Sequence, residues 1–495
     1  MERWVVVTII IALYLGLTLT IGLLAGRRST HSVAGYVAAD RSFGLLVMYF
    51  VTGASVFSAF AFLGGPGWAY SRGVAVLYIL SYGVLGIAPW YFLGPRAARL
   101  GRTRGYVTQA QLVTGRFPSR TLSVLFAVLT VAAFVPYIML QMSGAGIVFS
   151  AVTDGHVPFW LGAALAYGVV MLYVLFGGAS AVGWTNVFEG VVMMVVAWLL
   201  GIYIPNTLYG GIGPMFERIA EARPELLTMP GLDASGNRWS WGAYSSTILS
   251  SAIGLAIWPH LFMKAFTAKS DATIRRTVVL FPTFQLFLVP LLLVGFAGVL
   301  FPTPPATADF VLPHMILESG MPALVIGLFC AGALAASMST GDALLHGAAS
   351  VAIEDGIAPF VRIAERRRRF LMQLLVLSIG GLAYWLAIIQ QRSLVWLLVS
   401  AYGIVDQLAP PVYAALYWQR ATTRGVLAGL IGGSLTSVFF FLNPELRPWD
   451  IHEGILGLVV NVLLLAGVSL REERRGIIQP TSRPAAVDAA DSDLR

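Results

Sequence analysis

Residues 333–342 read Ala333-Leu-Ala-Ala-Ser-Met-Ser-Thr-Gly-Asp342, a small and polar interruption of an otherwise apolar run. Ala336, Ser339 and Thr340 stand at i, i+3 and i+4, so a helix puts them on one face, two of them bringing hydroxyl oxygens. A small hard cation such as Na⁺ needs several oxygens at close range, and small side chains also let backbone carbonyls approach. The competing reading is a small-residue packing seam whose Ser and Thr bond back to their own helix.

A second stretch bears on that choice. The apolar run between Ser42 and Tyr70 carries Gly53-Ala-Ser-Val-Phe-Ser58 at its middle and Gly64-Gly-Pro-Gly67 near its end. Glycines and small hydroxyl residues at mid-membrane depth predict a discontinuous helix, whose freed carbonyls are tolerated beside a cavity or an ion. A kinked but continuous helix is the alternative.

Together these stretches resemble the sodium/solute symporter family, which includes proline, pantothenate, monocarboxylate and sugar carriers. Four further passages fit its pattern: Phe176-Gly-Gly-Ala-Ser-Ala-Val-Gly-Trp-Thr185, Trp258-Pro-His260, Asp271-Ala-Thr-Ile-Arg-Arg276 and Ala352-Ile-Glu-Asp355. The resemblance covers roughly residues 5 to 470. Each motif is weak alone; their order and spacing along one polytopic chain carry the likeness. It implies one Na⁺ as coupling ion, and no other cofactor, between the broken first helix of the core and the eighth. The ligands it implies are the carbonyls of Ala54, Phe57 and Ala336 and the hydroxyls of Ser339 and Thr340.

Bulk properties point the same way. With 57% hydrophobic and 11% charged residues over 495 positions, the chain is too apolar for a soluble globule and is expected in the lipid bilayer. The net charge of +8 suggests nucleic acid only until the charges are located. Thirteen apolar runs approach the ~20 residues a span needs: 4–25, 43–70, 75–95, 121–149, 158–178, 184–205, 244–266, 277–301, 321–346, 371–390, 394–418, 424–442 and 452–470. With the N-terminus outside, the positive-inside rule puts 25 of the 32 basic residues, Lys264 among them, in cytoplasmic segments. That assignment predicts a multi-pass protein of the cell inner (plasma) membrane with its C-terminus cytoplasmic. The first run is followed by Arg27-Arg28 and lacks a cleavage pattern, so it is expected to be retained.

The domain reading is a transmembrane transporter domain over 1–470 and a disordered cytoplasmic tail over 471–495, where periodicity stops. The resemblance implies an all-α membrane fold whose core is a 5+5 inverted repeat, here about 43–205 and 244–418, each half opening with a broken helix. Ser250-Ser-Ala-Ile-Gly254 supplies the small residues in the second such helix. The connection 206–242 is expected to hold a short amphipathic piece lying on the core.

No P-loop, dinucleotide fingerprint or H-E-x-x-H pattern occurs, and Cys330 is the single cysteine, so an enzyme is not expected. Acidic residues inside a membrane are functional candidates by default; Glu189, Asp342 and Asp406 qualify as ion-path candidates. Many relatives have aspartate where Trp184-Thr-Asn186 has Asn186, with Glu189 one turn later as its replacement or as a simple pairing group. Asp342 and His346 stand four apart, a spacing open to an ion-path stop, a structural pair or a proton relay. Asp406, in Gly403-Ile-Val-Asp-Gln-Leu-Ala-Pro-Pro411, is open to a cationic or hydroxylated solute, to a proton, or to backbone groups freed by Pro410 and Pro411. The solute-pocket candidates are Ser58, Tyr137, Gln141, Trp258, Tyr402 and Gln407, each with bundle packing as its alternative.

The expectation is a Na⁺-coupled symporter importing a small polar solute, a carboxylate such as a monocarboxylate, pantothenate or amino acid, by alternating access. A proton-coupled organic-acid permease and a transport-inactive solute sensor are the alternatives. The partners implied are the solute, Na⁺ and lipid, not nucleic acid; a monomer is expected unless a small accessory membrane subunit joins it.

Overall fold

The computed structural model describes residues 3–27, 32–153, 155–389 and 401–475. The C-terminal part of the expected tail, 476–495, and the start of the expected eleventh span, 394–400, lie outside the described residues. The described chain is helical, with strand-like pairing confined to two isolated bridges.

Among the described residues ten stretches are long and apolar enough, by length and composition, to cross a membrane; Leu45–Val56 is a shorter apolar helix. The expected fifth and sixth spans run together as Phe159–Tyr209, bent at Gly178, whose φ of 52° only glycine adopts without strain. Hydroxyl residues start several helices where the chain leaves a connection. Ser119 caps Arg120–Val152, Ser240 caps Trp241–Ile257 and Thr422 caps Thr423–Leu442, each accepting a first-turn N–H.

Helix Ala323–Val351 is the hub, packing on Arg3–Gly26, Arg120–Val152 and Phe159–Tyr209. From Phe329 to Val351 it is buried on every face, so its small residues set how closely neighbours approach. A Cβ at Gly341 would stand 2.2 Å from the Tyr167 hydroxyl, which bonds the Ser337 carbonyl at 3.0 Å. Thr423–Leu442 and Glu453–Arg474 pack chiefly on each other beside this core.

Both helices expected to be broken are interrupted, the second beyond the small residues 250–254. The first membrane helix of the core stops at Val56 and resumes as a π-helical turn at Phe60, with Phe57 extended (φ −95°, ψ 92°). The other stops at Ile257 and restarts at Pro259, pivoting on Trp258 (φ −46°, ψ 120°). The amphipathic piece is Ile212–Ala222, which buries Met215 and Ile219. Beyond it Trp239 packs on Trp68 with ring centroids 5.7 Å apart.

Two family-like passages serve the connections at the basic end. Asp271 is paired with Arg99 and Arg102. Asp355 accepts from Thr108 at 2.8 Å, and Glu354 is paired with Arg368 at 3.2 Å. One basic residue departs from the sequence expectation: Lys264, assigned to a cytoplasmic segment, lies buried within helix Pro259–Thr267. It falls inside the expected span 244–266 and the helix ends at Thr267, so the positive-inside count treated as a connection residue one that the bundle buries.

Candidate functional site

The break at Phe57 meets the Ser/Thr face of the hub helix. Ser339 Oγ donates to the Ala54 carbonyl at 3.0 Å, and Thr340 Oγ1 lies 3.3 Å from the same oxygen. Ser339 Oγ is also 3.3 Å from the Ala336 carbonyl. Four of the five groups named for the ion therefore converge from segments 285 and 286 residues apart, in a spot without exposed side chains. Phe57 lies at the end of the same turn; its ring packs among Phe281, Phe284 and Phe287 at 5.4–6.1 Å, away from the polar cluster.

The break is held by helix Arg120–Val152. Gln141 Oε1 accepts from the Ala59 N–H at 3.0 Å, and Tyr137 donates to the Val56 carbonyl at 3.4 Å. Ser58 accepts from the Phe60 N–H at 3.2 Å, capping the resumed helix. These solute candidates thus satisfy backbone groups that an interrupted helix leaves open.

One turn further along the hub, Asp342 is the centre of a second cluster. Its Oδ2 accepts from Tyr173 at 2.9 Å, from Thr185 at 3.2 Å and from Asn186 at 3.1 Å. Asn186 also reaches Glu189 at 3.4 Å and accepts from Ser55 at 3.0 Å, and Tyr14 donates to Glu189 at 3.4 Å. Asn186 therefore joins the ion-side turn to both carboxylates. The expected Asp342/His346 pair does not form: His346 Nε2 bonds the Tyr36 carbonyl at 2.9 Å, while Asp342 is taken by the helix Phe159–Tyr209. Four-residue spacing permits contact along a helix, but stronger partners arrive from across the bundle.

The second break gathers rings. Trp258 stands 5.1 Å from Tyr137, 5.6 Å from Tyr402 and 5.5 Å from His260, and Tyr402 stands 6.3 Å from Tyr82. Tyr82 continues to Tyr78 at 5.5 Å, and Tyr78 to Trp68 at 5.2 Å. Sequence reading missed Tyr78 and Tyr82, although their i, i+4 spacing marks one helical face. Several polar atoms here are buried without a hydrogen-bond partner among the described residues: Tyr78 OH, Gln141 Nε2, Trp258 Nε1, both nitrogens of His260, and Asp406 Oδ1. Asp406 Oδ2 accepts from Ser250 at 2.5 Å. No bond from Asp406 to the backbone near Pro410 and Pro411 is present among the described residues.

Gln407 is not in this group. Its amide donates to the carbonyls of Gly403 and Gly454 at 3.2 and 3.0 Å, and Asn461 reaches its oxygen at 3.3 Å. Five residues from Tyr402, it projects from a different face, toward helices Thr423–Leu442 and Glu453–Arg474. Below the rings, His260 and Lys264 line a small cavity together with His346.

The chain aligns over nearly its whole length with known carriers. An uncharacterised symporter of Bacillus subtilis is 29% identical, covering 96% of this chain and 97% of the relative. The sodium/pantothenate symporter of Escherichia coli is 27% identical, covering 84% and 86%. A high-affinity proline transporter of Bacillus subtilis is 26% identical, covering 91% and 95%. Among solved structures, a substrate-bound, outward-open Na⁺-coupled sialic acid symporter superposes with a TM-score of 0.80 at 17% identity, over 97% of this chain and 99% of that one, which establishes the fold. The family profile of the sodium:solute symporters matches residues 36–433. The chain belongs to the sodium:solute symporter family, and the class of activity this carries is Na⁺-coupled solute symport.

Proposed function

We propose that the chain imports a small carboxylate-bearing solute by alternating access, as a carrier rather than an enzyme, with Na⁺ held by Ala54, Phe57, Ala336, Ser339 and Thr340. The observation that carries this reading is the meeting of both hydroxyls with the Ala54 carbonyl at 3.0 and 3.3 Å. A hydroxyl rotates to aim either its proton at a carbonyl or its lone pairs at a cation, so the same groups serve with and without the ion. Na⁺ bridging the interrupted turn to the hub helix steadies one arrangement of the bundle, and separation of the two releases it.

The carboxylate is supported by the unused donors Gln141 Nε2 and Trp258 Nε1, which offer protons to an acceptor-bearing solute. Relatives named for pantothenate, proline and monocarboxylates all concern carboxylates. The charge asymmetry of the connections supports a plasma-membrane orientation with the N-terminus outside and the C-terminus cytoplasmic. Proton coupling draws less support, since the Asp342/His346 pair that favoured it is absent.

Uptake into proteoliposomes, measured in sodium and in choline, tests the coupling. Replacing Ser339 and Thr340 together by alanine removes two ion contacts, each of about 1.5–3 kcal/mol for a charged partner. The sodium concentration for half-maximal uptake then rises by more than about tenfold. Unchanged sodium dependence in the double variant removes this site, and equal uptake in choline removes sodium coupling itself.

A further inference from the structure

Next to the rings at the second break lies a carboxylate that has no counter-charge among the described residues. Asp406 is fully buried one turn beyond Tyr402; Ser250 occupies its Oδ2, and its Oδ1 has no hydrogen-bond partner among the described residues. The placement of that oxygen can be read from Gly254. A Cβ added there would lie 2.1 Å from the Tyr402 ring and 3.3 Å from Asp406 Oδ1, so the free oxygen and the ring border the same space. The neighbouring acid, Glu453, is already paired with Arg447 at 3.0 Å and supplies no cation. Lys264 is on the far side of Trp258 along its helix, beside His260 and His346.

An isolated buried carboxylate costs several kcal/mol, which one hydroxyl does not offset. Ring faces attract positive charge, and several faces around a cation form a cage suited to ammonium or quaternary nitrogen. Tyr82, Tyr402, Trp258 and Tyr137 are all buried and follow one another in ring contacts of 5.1–6.3 Å, so a solute enters by parting them. A positive nitrogen arriving there replaces ring–ring contact with cation–π contact and supplies the charge that Asp406 lacks.

We propose that this ring cluster and Asp406 form a receptor for a cationic nitrogen, so that the transported solute is a zwitterion: an ammonium or quaternary ammonium group at Asp406, and a carboxylate toward Gln141 and Trp258. The proposal deepens the symport reading and rests on it. It also accounts for the mixture of orphans in the site, which holds unused donors at one end and an unused acceptor at the other.

The test uses the purified full-length protein in sodium and two pairs of isosteres that differ in replacing N⁺ by carbon: glycine betaine with 3,3-dimethylbutanoate, and L-proline with cyclopentanecarboxylate. Thermal shift and competition binding are read for each. The expected result is that the charged member of at least one pair binds at least about tenfold more tightly than its carbon isostere, and that Asp406→Asn narrows the difference to less than about threefold. Equal or tighter binding of the carbon isosteres to the unmodified protein overturns the proposal while leaving sodium-coupled carboxylate transport standing. Loss of sodium dependence for both members in Asp406→Asn, with no change in their ratio, makes Asp406 an ion ligand and also overturns it. No sodium-dependent response to any of the four compounds counts against the carboxylate symport reading itself, and the proposal falls with it. Should Asp406→Asn fail to fold, the isostere ratio in the unmodified protein still decides.

Discussion

The polar cluster around Asp342 and the ring cluster around Asp406 are buried alike, yet they use their polar atoms differently. Asp342 accepts from Tyr173, Thr185 and Asn186, and its neighbours Ser339, Thr340 and Glu189 also have partners. Asp406 accepts from Ser250 alone among the described residues, and along the row of rings beside it Tyr78, Trp258 and His260 keep unpaired atoms. A buried polar group left unpaired costs about 1–3 kcal/mol, so a cluster of them marks a place where a ligand completes the set. A satisfied cluster instead holds the scaffold in register. The contrast supports the proposed reading, in which the hub helix and the first interrupted helix position an ion and the second interrupted helix recognises an organic solute.

The contrast breaks first at Asp342. Asp342→Ala strands three buried donors, so unfolding of the purified protein in detergent is expected at about 3–5 kcal/mol lower stability. A loss below about 1 kcal/mol would mean that the cluster is not satisfied through this carboxylate. A matched pair of tyrosines sharpens the point at smaller effect. Tyr173→Phe removes a donor to Asp342 and is expected to lower stability by about 2 kcal/mol. Tyr78→Phe deletes a hydroxyl with no partner, so stability holds or rises slightly while affinity for the solute falls. Equal destabilisation by the two tyrosine variants would erase the distinction between the clusters.

Much of this was legible in the sequence. The glycines and small residues of Gly53-Ala-Ser-Val-Phe-Ser58 predict an interruption, and the helix does stop at Val56. The i, i+3, i+4 arrangement of Ala336, Ser339 and Thr340 predicts one face; both hydroxyls reach the Ala54 carbonyl, and Ser339 also reaches that of Ala336. The short amphipathic piece expected in the connection 206–242 is helix Ile212–Ala222. Less was legible among single polar residues. Gln407 has the chemistry of a pocket residue, but its amide is consumed by Gly403, Gly454 and Asn461. Asp342 and His346 have the spacing of a pair, but each finds a partner far away in the chain. Lys264 counts as a cytoplasmic cation from its place at the end of a span, but local composition cannot show that neighbouring helices bury it.

By itself the sequence determined the membrane-spanning character, the family and the place where the first core helix stops, because hydrophobic length and the small residues that permit an interruption are local properties of the chain. The tertiary structure alone decided which polar atoms are spoken for. Partners for Asp342 come from about 156 to 169 residues away and the partner for Asp406 from 156, and no pattern within one helix encodes such meetings. In a medium without water, whether a buried polar group is scaffold or receptor depends on who stands opposite it, and that is a property of the packed bundle.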